Sequence, residues 1–303
     1  MVPGLFLFPS ALWQTNSAVL ARRGEALVVD PGYFPAEVQA IRDFVAEQGF
    51  SPALFFTHGD FDHVVGHQAF PEAPRWGSRA MLGRDGKAVE RQVADFDARF
   101  YVERPSPFTF PTLDRTVGEA PVRAAGLAPA TPEQSGTARL ADLELLFFSA
   151  PGHTEDGLIL VVPDLKLMFA GDYLSDLEFP FVEHSLAAYR QTLRRFRRLT
   201  DEFDLERLVP GHGPAAATRQ EILSRIAQDE AYLERLWDAA LAGVRRGAEA
   251  HELRRLLEDV PYRGRPVPPH LRRNHTDNVE RVLVEVRAPG RTAPAQPAPD
   301  PGA

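Results

Sequence analysis

The sequence predicts an α/β protein with a helical extension at its C-terminal end. Short apolar runs alternate with a helical pattern in the first part of the chain, as strand–helix–strand units do, whereas beyond Pro214 the pattern is helical throughout. Four of the apolar runs end in polar turns that carry His or Asp, at the strand ends where α/β architectures gather functional groups.

In chain order, the apolar N-terminus MVPGLFLFPSALWQ reads as a first strand and turn, because it has neither a basic leader segment nor a clear cleavage site. Ala26 to Val29 and Ala53 to Phe56 are short buried strands flanking Pro35 to Phe50, whose apolar spacing is helical and which ends on Gly49. From Glu72 to Gly136 the pattern blurs. Lys87 to Tyr101 reads as a helix, and the proline- and alanine-rich remainder reads as an insertion decorating the core. Strands resume at Leu143 to Ser149, Leu158 to Val162 and Leu165 to Ala170; a helix at Leu186 to Leu199 and the run Arg207 to Val209 follow. Arg219 to Val244, Ala248 to Asp259 and Pro269 to Val286 fit amphipathic helices, and the closing APGRTAPAQPAPDPGA has nothing to bury. The expected organisation is a core domain over 1–216 with an insertion at about 72–136, a helical cap over 217–287 and a disordered tail over 288–303.

Composition narrows the function. The net charge of −8 argues against a nucleic-acid binder, and the run of arginines from Arg190 to Arg198 is read as a solvated helix face. No apolar stretch approaches a membrane span, so no membrane association is expected. The chain has 0 cysteines, which excludes disulfides and thiolate ligands, leaves imidazole and carboxylate to bind metals and suits a cytoplasmic setting.

The four turns are THGDFDH (57–63), SAPGHTEDG (149–157), FAGDYL (169–174) and VPGHGP (209–214). They hold the candidate ligands His58, Asp60, Asp62, His63, His153, Asp172 and His212, and core packing gives no reason for such residues there. In this order the turns resemble the metal-binding motifs of metallo-β-lactamase-fold hydrolases. THGDFDH resembles HxHxDH, PGHT the third-histidine turn, GD the bridging aspartate and PGHG the last histidine, while Asn16 and ALVVDPG resemble the family's opening hairpin. The resemblance implies a four-layer αββα sandwich with a one- or two-metal centre at the edge of its sheets. It implies that His58, residue 60 and His153 take one divalent ion, that Asp62, His63 and His212 take a second, and that Asp172 bridges them. A hydroxide held between the ions would be the nucleophile, oriented by Asp62.

Asp60 departs from the family pattern, which has histidine there. A carboxylate lowers the formal charge of a two-metal hydroxide centre from plus one to zero, weakening its acids, and its hardness tilts preference from zinc toward iron or manganese. Flavodiiron members of the fold carry glutamate at the matching position; no flavin domain is read here, so their oxygen chemistry is not carried over. Three readings stay open, in this order: a dinuclear hydrolase with Asp60 as ligand, a mononuclear one with Asp60 as an acid–base group, and a member with altered catalysis.

Beside the centre, Asp30 is read either as a turn residue or as the partner that orients a ligating histidine, and His67 as a surface residue or one supporting the ligands. Tyr173 could donate to a developing oxyanion, with a packed tyrosine as the plainer reading. Arg272, His275 and Asn278 share a face of the last helix and are candidate substrate contacts at the pocket mouth. The expected function is metal-dependent hydrolysis of a small-molecule ester, thioester, lactone, amide or phosphoester. A non-haem iron oxidoreductase and a catalytically idle binding protein of the same fold are its rivals.

Overall fold

The computed structural model describes residues 2–118 and 134–288. The mid-chain residues 119–133 and the expected tail from 289 onward lie outside the described residues.

Two sheets form the centre. The first holds β1 (Leu5–Pro9), β2 (Asn16–Arg22), β3 (Glu25–Val29), β4 (Ser51–Phe55), β5 (Arg75–Ser78) and β6 (Arg115–Val117), in that spatial order. The second holds β7 (Gln134–Leu140), β8 (Leu143–Ser149), β9 (Leu158–Val162), β10 (Leu167–Phe169) and β11 (Arg207–Val209), in the order β11-β10-β9-β8-β7. Strand β3 reaches its parallel neighbour β4 through α1 (Pro35–Glu47), which is the expected βαβ unit.

Residue alternation along the strands sorts the apolar side chains into layers, because successive side chains point to opposite faces. On β3, Leu27 and Val29 point into a core between the sheets, where Leu145 and Phe147 of β8 and Leu158 and Leu160 of β9 meet them. Ala26 and Val28 point outward, under α1 and α3 (Gly86–Phe100). On the far side, Ile159, Val161 and Met168 lie in one core with α4 (Leu186–Glu202), α5 (Arg219–Arg245), α6 (Ala250–Glu258) and α7 (Arg272–Arg287). Helix, sheet, sheet, helix is the αββα order. The C-terminal helices share the core of α4 and the second sheet, which gives them their buried faces.

The segment expected to decorate the core differs. Its described part supplies β5 and β6, each parallel to its neighbour, with α3 as the crossover between them. These strands are only 4 and 3 residues long, too short for period-two alternation to show in the sequence. Two arginines of α4 are engaged: Arg197 pairs with Glu230 of α5 at 2.6 Å, and Arg195 donates to the Ser149 carbonyl.

Candidate metal centre

Each turn is built to present its polar groups at one edge of the two sheets. After β4 the chain runs through His58 and Gly59 to Asp60, which starts the one-turn helix α2 (Phe61–Val64) without capping it. The Asp60 side chain is thereby free to face inward beside His58, while Asp62 and His63 enter from the first helical turn. A Cβ on Gly59 would lie 2.7 Å from Arg84 Cδ and 2.9 Å from Asp156 Oδ2, so any larger residue displaces the two side chains that flank this turn. The last turn is held by the opening hairpin: Asn16 Nδ2 donates to the carbonyls of Pro210 (2.9 Å) and Gly213 (2.7 Å).

The structure brings all seven sequence-predicted His and Asp candidates together. His58, Asp60 and His153 form one cluster, and Asp62, His63 and His212 another, with one donor atom per residue and these atoms within 4.8 Å of one another in each. Asp172 stands between them. Its Oδ1 is 3.1 Å from His63 Nε2, and its Oδ2 is 3.2 Å from His212 Nε2, 3.4 Å from His153 Nε2 and 3.7 Å from His58 Nε2.

All four histidines are engaged at Nδ1, leaving Nε2 to face the centre. His63 Nδ1 donates to Asp30 Oδ2 (3.0 Å), His153 Nδ1 to the Phe181 carbonyl (2.9 Å) and His212 Nδ1 to the Trp13 carbonyl (3.2 Å). His58 Nδ1 meets Thr57 Oγ1 at 3.0 Å, and that hydroxyl donates to Asp30 Oδ2 at 2.7 Å. Asp30 therefore orients two histidines at once, which selects the second of its two sequence readings.

This donor set fits a metal. His58 Nε2, His63 Nε2 and Asp172 Oδ1 are buried without a hydrogen-bond partner, although His63 Nε2 and Asp172 Oδ1 are at ion-pair distance. Buried polar atoms that face one another without hydrogen-bonding alignment are accounted for by a cation between them. Without one, protons do that work. Burial opposes charge on His153, but Asp60 and Asp172 outweigh it and raise its pKa to about 10; for His212, Asp172 and Asp62 overcome burial and raise it to about 9. Burial likewise opposes ionisation of Asp60, yet the charge of His58, the hydrogen bond from His153 and Arg84 hold it well below the usual carboxylate range. A metal replaces those protons with a more concentrated charge.

Other expected residues take different places. The Tyr173 hydroxyl accepts from His153 N and donates to the Ala150 carbonyl, both at 2.9 Å, so its proton is committed to bracing the second turn and is not free for an oxyanion. His275 and Asn278 are buried and are not pocket-mouth contacts. Asn278 Oδ1 accepts from Val182 N (2.8 Å) and its Nδ2 donates to the Pro180 carbonyl (2.6 Å), while His275 bonds Tyr232 Oη (2.7 Å) and the Leu257 carbonyl (3.0 Å). Asn278 pins the 180–182 segment whose Phe181 carbonyl aligns His153, and His275 holds the Tyr232 hydroxyl to which Asn278 also donates. Arg272 is exposed at the start of α7 and makes no contact with the centre among the described interactions. His67 is buried, with Nε2 on the Thr109 carbonyl at 2.8 Å.

The residue that pattern reading missed is Arg84, which donates from Nη1 to Asp60 Oδ1 at 2.6 Å and lies 3.1 Å through Nε from Asp156 Oδ2. It lies where the sequence pattern blurs, and nothing local marks it. Asp156, within the quoted second turn, was visible as a polar residue; its bond to Gly59 N (2.9 Å) spans 97 positions. Arg84, Asp156, Thr154 and Glu183 line a cleft of about 460 Å³ beside the first cluster. Glu178 is a further carboxylate near the second cluster; burial, countered by His212 and reinforced by Asp172 and Asp62, pushes its pKa up to about 7.

Comparison with known proteins agrees with the geometry. The sequence profile of the Metallo-beta-lactamase superfamily matches residues 11–212. No curated protein matches the chain in sequence. Among solved structures, a metallo-beta-lactamase family protein from Thermus thermophilus superposes with a TM-score of 0.63 at 20% identity, covering 94% of this chain and 93% of that one. The stereoselective inverting sec-alkylsulfatase Pisa1 from Pseudomonas sp. gives a TM-score of 0.62 at 14% identity over 93% of this chain and 49% of its own. The BLEG-1 B3 metallo-beta-lactamase gives 0.50 at 17% identity over 73% and 96%. At these identities the structures speak for the fold. The profile covers well over half of the chain, and the protein belongs to the metallo-beta-lactamase superfamily.

Proposed function

We propose that the protein is a metal-dependent hydrolase of a small-molecule ester, thioester, lactone or phosphoester, working with two divalent ions. His58, Asp60 and His153 would hold one ion, Asp62, His63 and His212 the other, and Asp172 both. The observation that carries this reading is the convergence of four imidazoles and three carboxylates, with buried ligand atoms of His58, His63 and Asp172 left without a hydrogen bond. Ions bound there polarise a carbonyl or phosphoryl oxygen and make water nucleophilic at neutral pH.

The chain's own residues do the rest. Asp62 Oδ2 lies 3.4 Å from His212 Nε2 and 3.5 Å from His63 Nε2, placing a carboxylate to orient an attacking water and accept its proton. Asp60 adds a hard oxygen donor to the first cluster, which favours iron or manganese over zinc. The cleft of about 460 Å³ suits a small molecule, and Arg84 with Asp156 and Glu183 gives it polar walls. Trp13, 50% exposed with its ring 6.5 Å from that of His212, adds an apolar surface beside the second cluster.

The test is metal analysis of protein grown without added metal, joined to turnover on a panel of esters, thioesters, lactones and phosphoesters. Two equivalents of metal and turnover lost in His63→Ala and Asp172→Ala support the reading. One equivalent or less rejects the dinuclear form. Stoichiometric metal without turnover moves the conclusion to a binding protein, and oxygen uptake without hydrolysis moves it to an iron oxidoreductase.

A further inference from the structure

The formal charge of the centre is usually counted over the metal ligands alone, and on that count Asp60 costs it one positive charge. Arg84 changes the count. Its guanidinium reaches Asp60 Oδ1 at 2.6 Å through Nη1, while the other Asp60 oxygen faces His153 Nε2 at 3.2 Å and His58 Nε2 at 3.3 Å. The carboxylate is divided: one oxygen is given to the arginine, the other to the first cluster.

Arg84 is itself fixed. Its Nε lies 3.1 Å from Oδ2 of Asp156, a residue only 2% exposed, and the same oxygen accepts from Gly59 N at 2.9 Å. The backbone around it is anchored too, since Arg84 N donates to the Met81 carbonyl (3.2 Å) and the next residue, Asp85, caps α3 through Ala88 N (3.0 Å). The guanidinium thus joins the first and second turns of the centre, one nitrogen to each, held by a buried carboxylate.

From this we infer that Asp60 and Arg84 act as one unit, a charge-neutral substitute for the imidazole that the family pattern has at this place. Arg84 is a positioning residue: it turns Asp60 so that a single oxygen faces the cluster, and it returns the charge that the carboxylate removes. Counted as a pair, Asp60 and Arg84 leave the ligand set with the net charge it would have with histidine, while Asp156 on the Nε side holds the guanidinium in place. The pair also explains why a side chain as short as aspartate serves at this place, because its rotation is fixed from behind. The inference rests on the metal-centre reading above and goes beyond it by tying one ligand to a residue outside the cluster.

The unit predicts a change of sign. In the Asp60→His variant, Arg84 keeps Asp156 but loses the ligand carboxylate that it turns, so its Nη1 edge is left facing a cation site; in the native protein the same arginine supports the site. The experiment is a double-mutant cycle on the full chain with Asp60→His, Arg84→Met and the combined variant. It reads zinc affinity of the weaker site by competition with a chromophoric chelator, and fold by circular dichroism. Removing a partner that orients a ligand costs about 10–100-fold in metal affinity, so Arg84→Met weakens the native site by that order. Asp60→His alone weakens it as well, and adding Arg84→Met to Asp60→His restores at least about tenfold. Arg84→Lys, which keeps the charge without the fork, falls between native and Arg84→Met and serves where methionine prevents folding.

Arg84→Met changing zinc affinity in the same direction and by the same factor in both backgrounds overturns the inference while leaving the metal centre standing. Native protein that binds no zinc, iron or manganese overturns the centre and the inference together.

Discussion

Asn278 offers the sharpest test of how the helical extension serves the site. Its side chain is 1% exposed and makes three hydrogen bonds: from Val182 N at 2.8 Å, to the Pro180 carbonyl at 2.6 Å and to Tyr232 Oη at 3.0 Å. Truncation to alanine strands the Val182 N–H, a buried donor whose desolvation costs about 1–3 kcal/mol, and forfeits two further bonds worth about 0.5–1.5 kcal/mol each. The expected loss is about 3 kcal/mol, or roughly 5 °C in Tm for a chain of this size. Asn278→Asp keeps the acceptor for Val182 N but supplies no donor and buries a charge, so it loses at least as much. Urea unfolding followed by circular dichroism measures both. Because the freed segment carries the Phe181 carbonyl that aligns His153, metal affinity also falls by up to about tenfold. An Asn278→Ala protein within about 0.5 kcal/mol of native stability, with metal affinity intact, refutes the assignment and reopens a role in substrate contact.

Three further predictions address other levels of the structure. Asp30→Ala releases His58, through Thr57, and His63 together, and is expected to cost about 10–100-fold in metal affinity and more than about 2 kcal/mol of stability, read by chelator competition and denaturant unfolding. Gly211→Ala places a Cβ against Asp172 Oδ1 and within 3.0 Å of His63 Cε1, so metal binding falls at least about tenfold while overpacking costs about 1–3 kcal/mol. His67 is held neutral: burial, opposed by its bond to the Thr109 carbonyl, lowers its pKa to about 4. The unfolded chain therefore binds the extra proton between about pH 6.5 and 4; the His67 contribution is complete above that window and is lost as pH falls through it, to a limit of roughly 3 kcal/mol. His67→Gln flattens that segment of the stability–pH curve, and an unchanged slope contradicts the assignment.

How much of this was legible beforehand depended on the range of the interaction involved. Helix α1 was visible in its 3.6-residue spacing and Gly49, and β8, β9 and β11 as apolar runs, because these signals repeat within a few residues. Strands β5 and β6 were not, since RWGS and RTV form no apolar run and their pairing depends on a parallel neighbour elsewhere in the chain. The site divides in the same way. His58, Asp62, His63, His153, Asp172 and His212 stood out because ligand types at strand ends are conspicuous in short motifs, whereas the Trp13 and Phe181 carbonyls that orient His212 and His153 are backbone atoms, without any sequence signature.

By itself the sequence determined the alternation of strands and helices, the kinds of donor atom available and the family, since each is written in residue type and local spacing. The tertiary structure alone decided what Asp60 faces, that Arg84 answers its charge, and that His275 and Asn278 hold the protein together behind the centre. Those outcomes depend on contacts such as Arg84–Asp60 across 24 positions and Asn278–Val182 across 96, where chain connectivity sets no distance and only packing of the two sheets and their helices does.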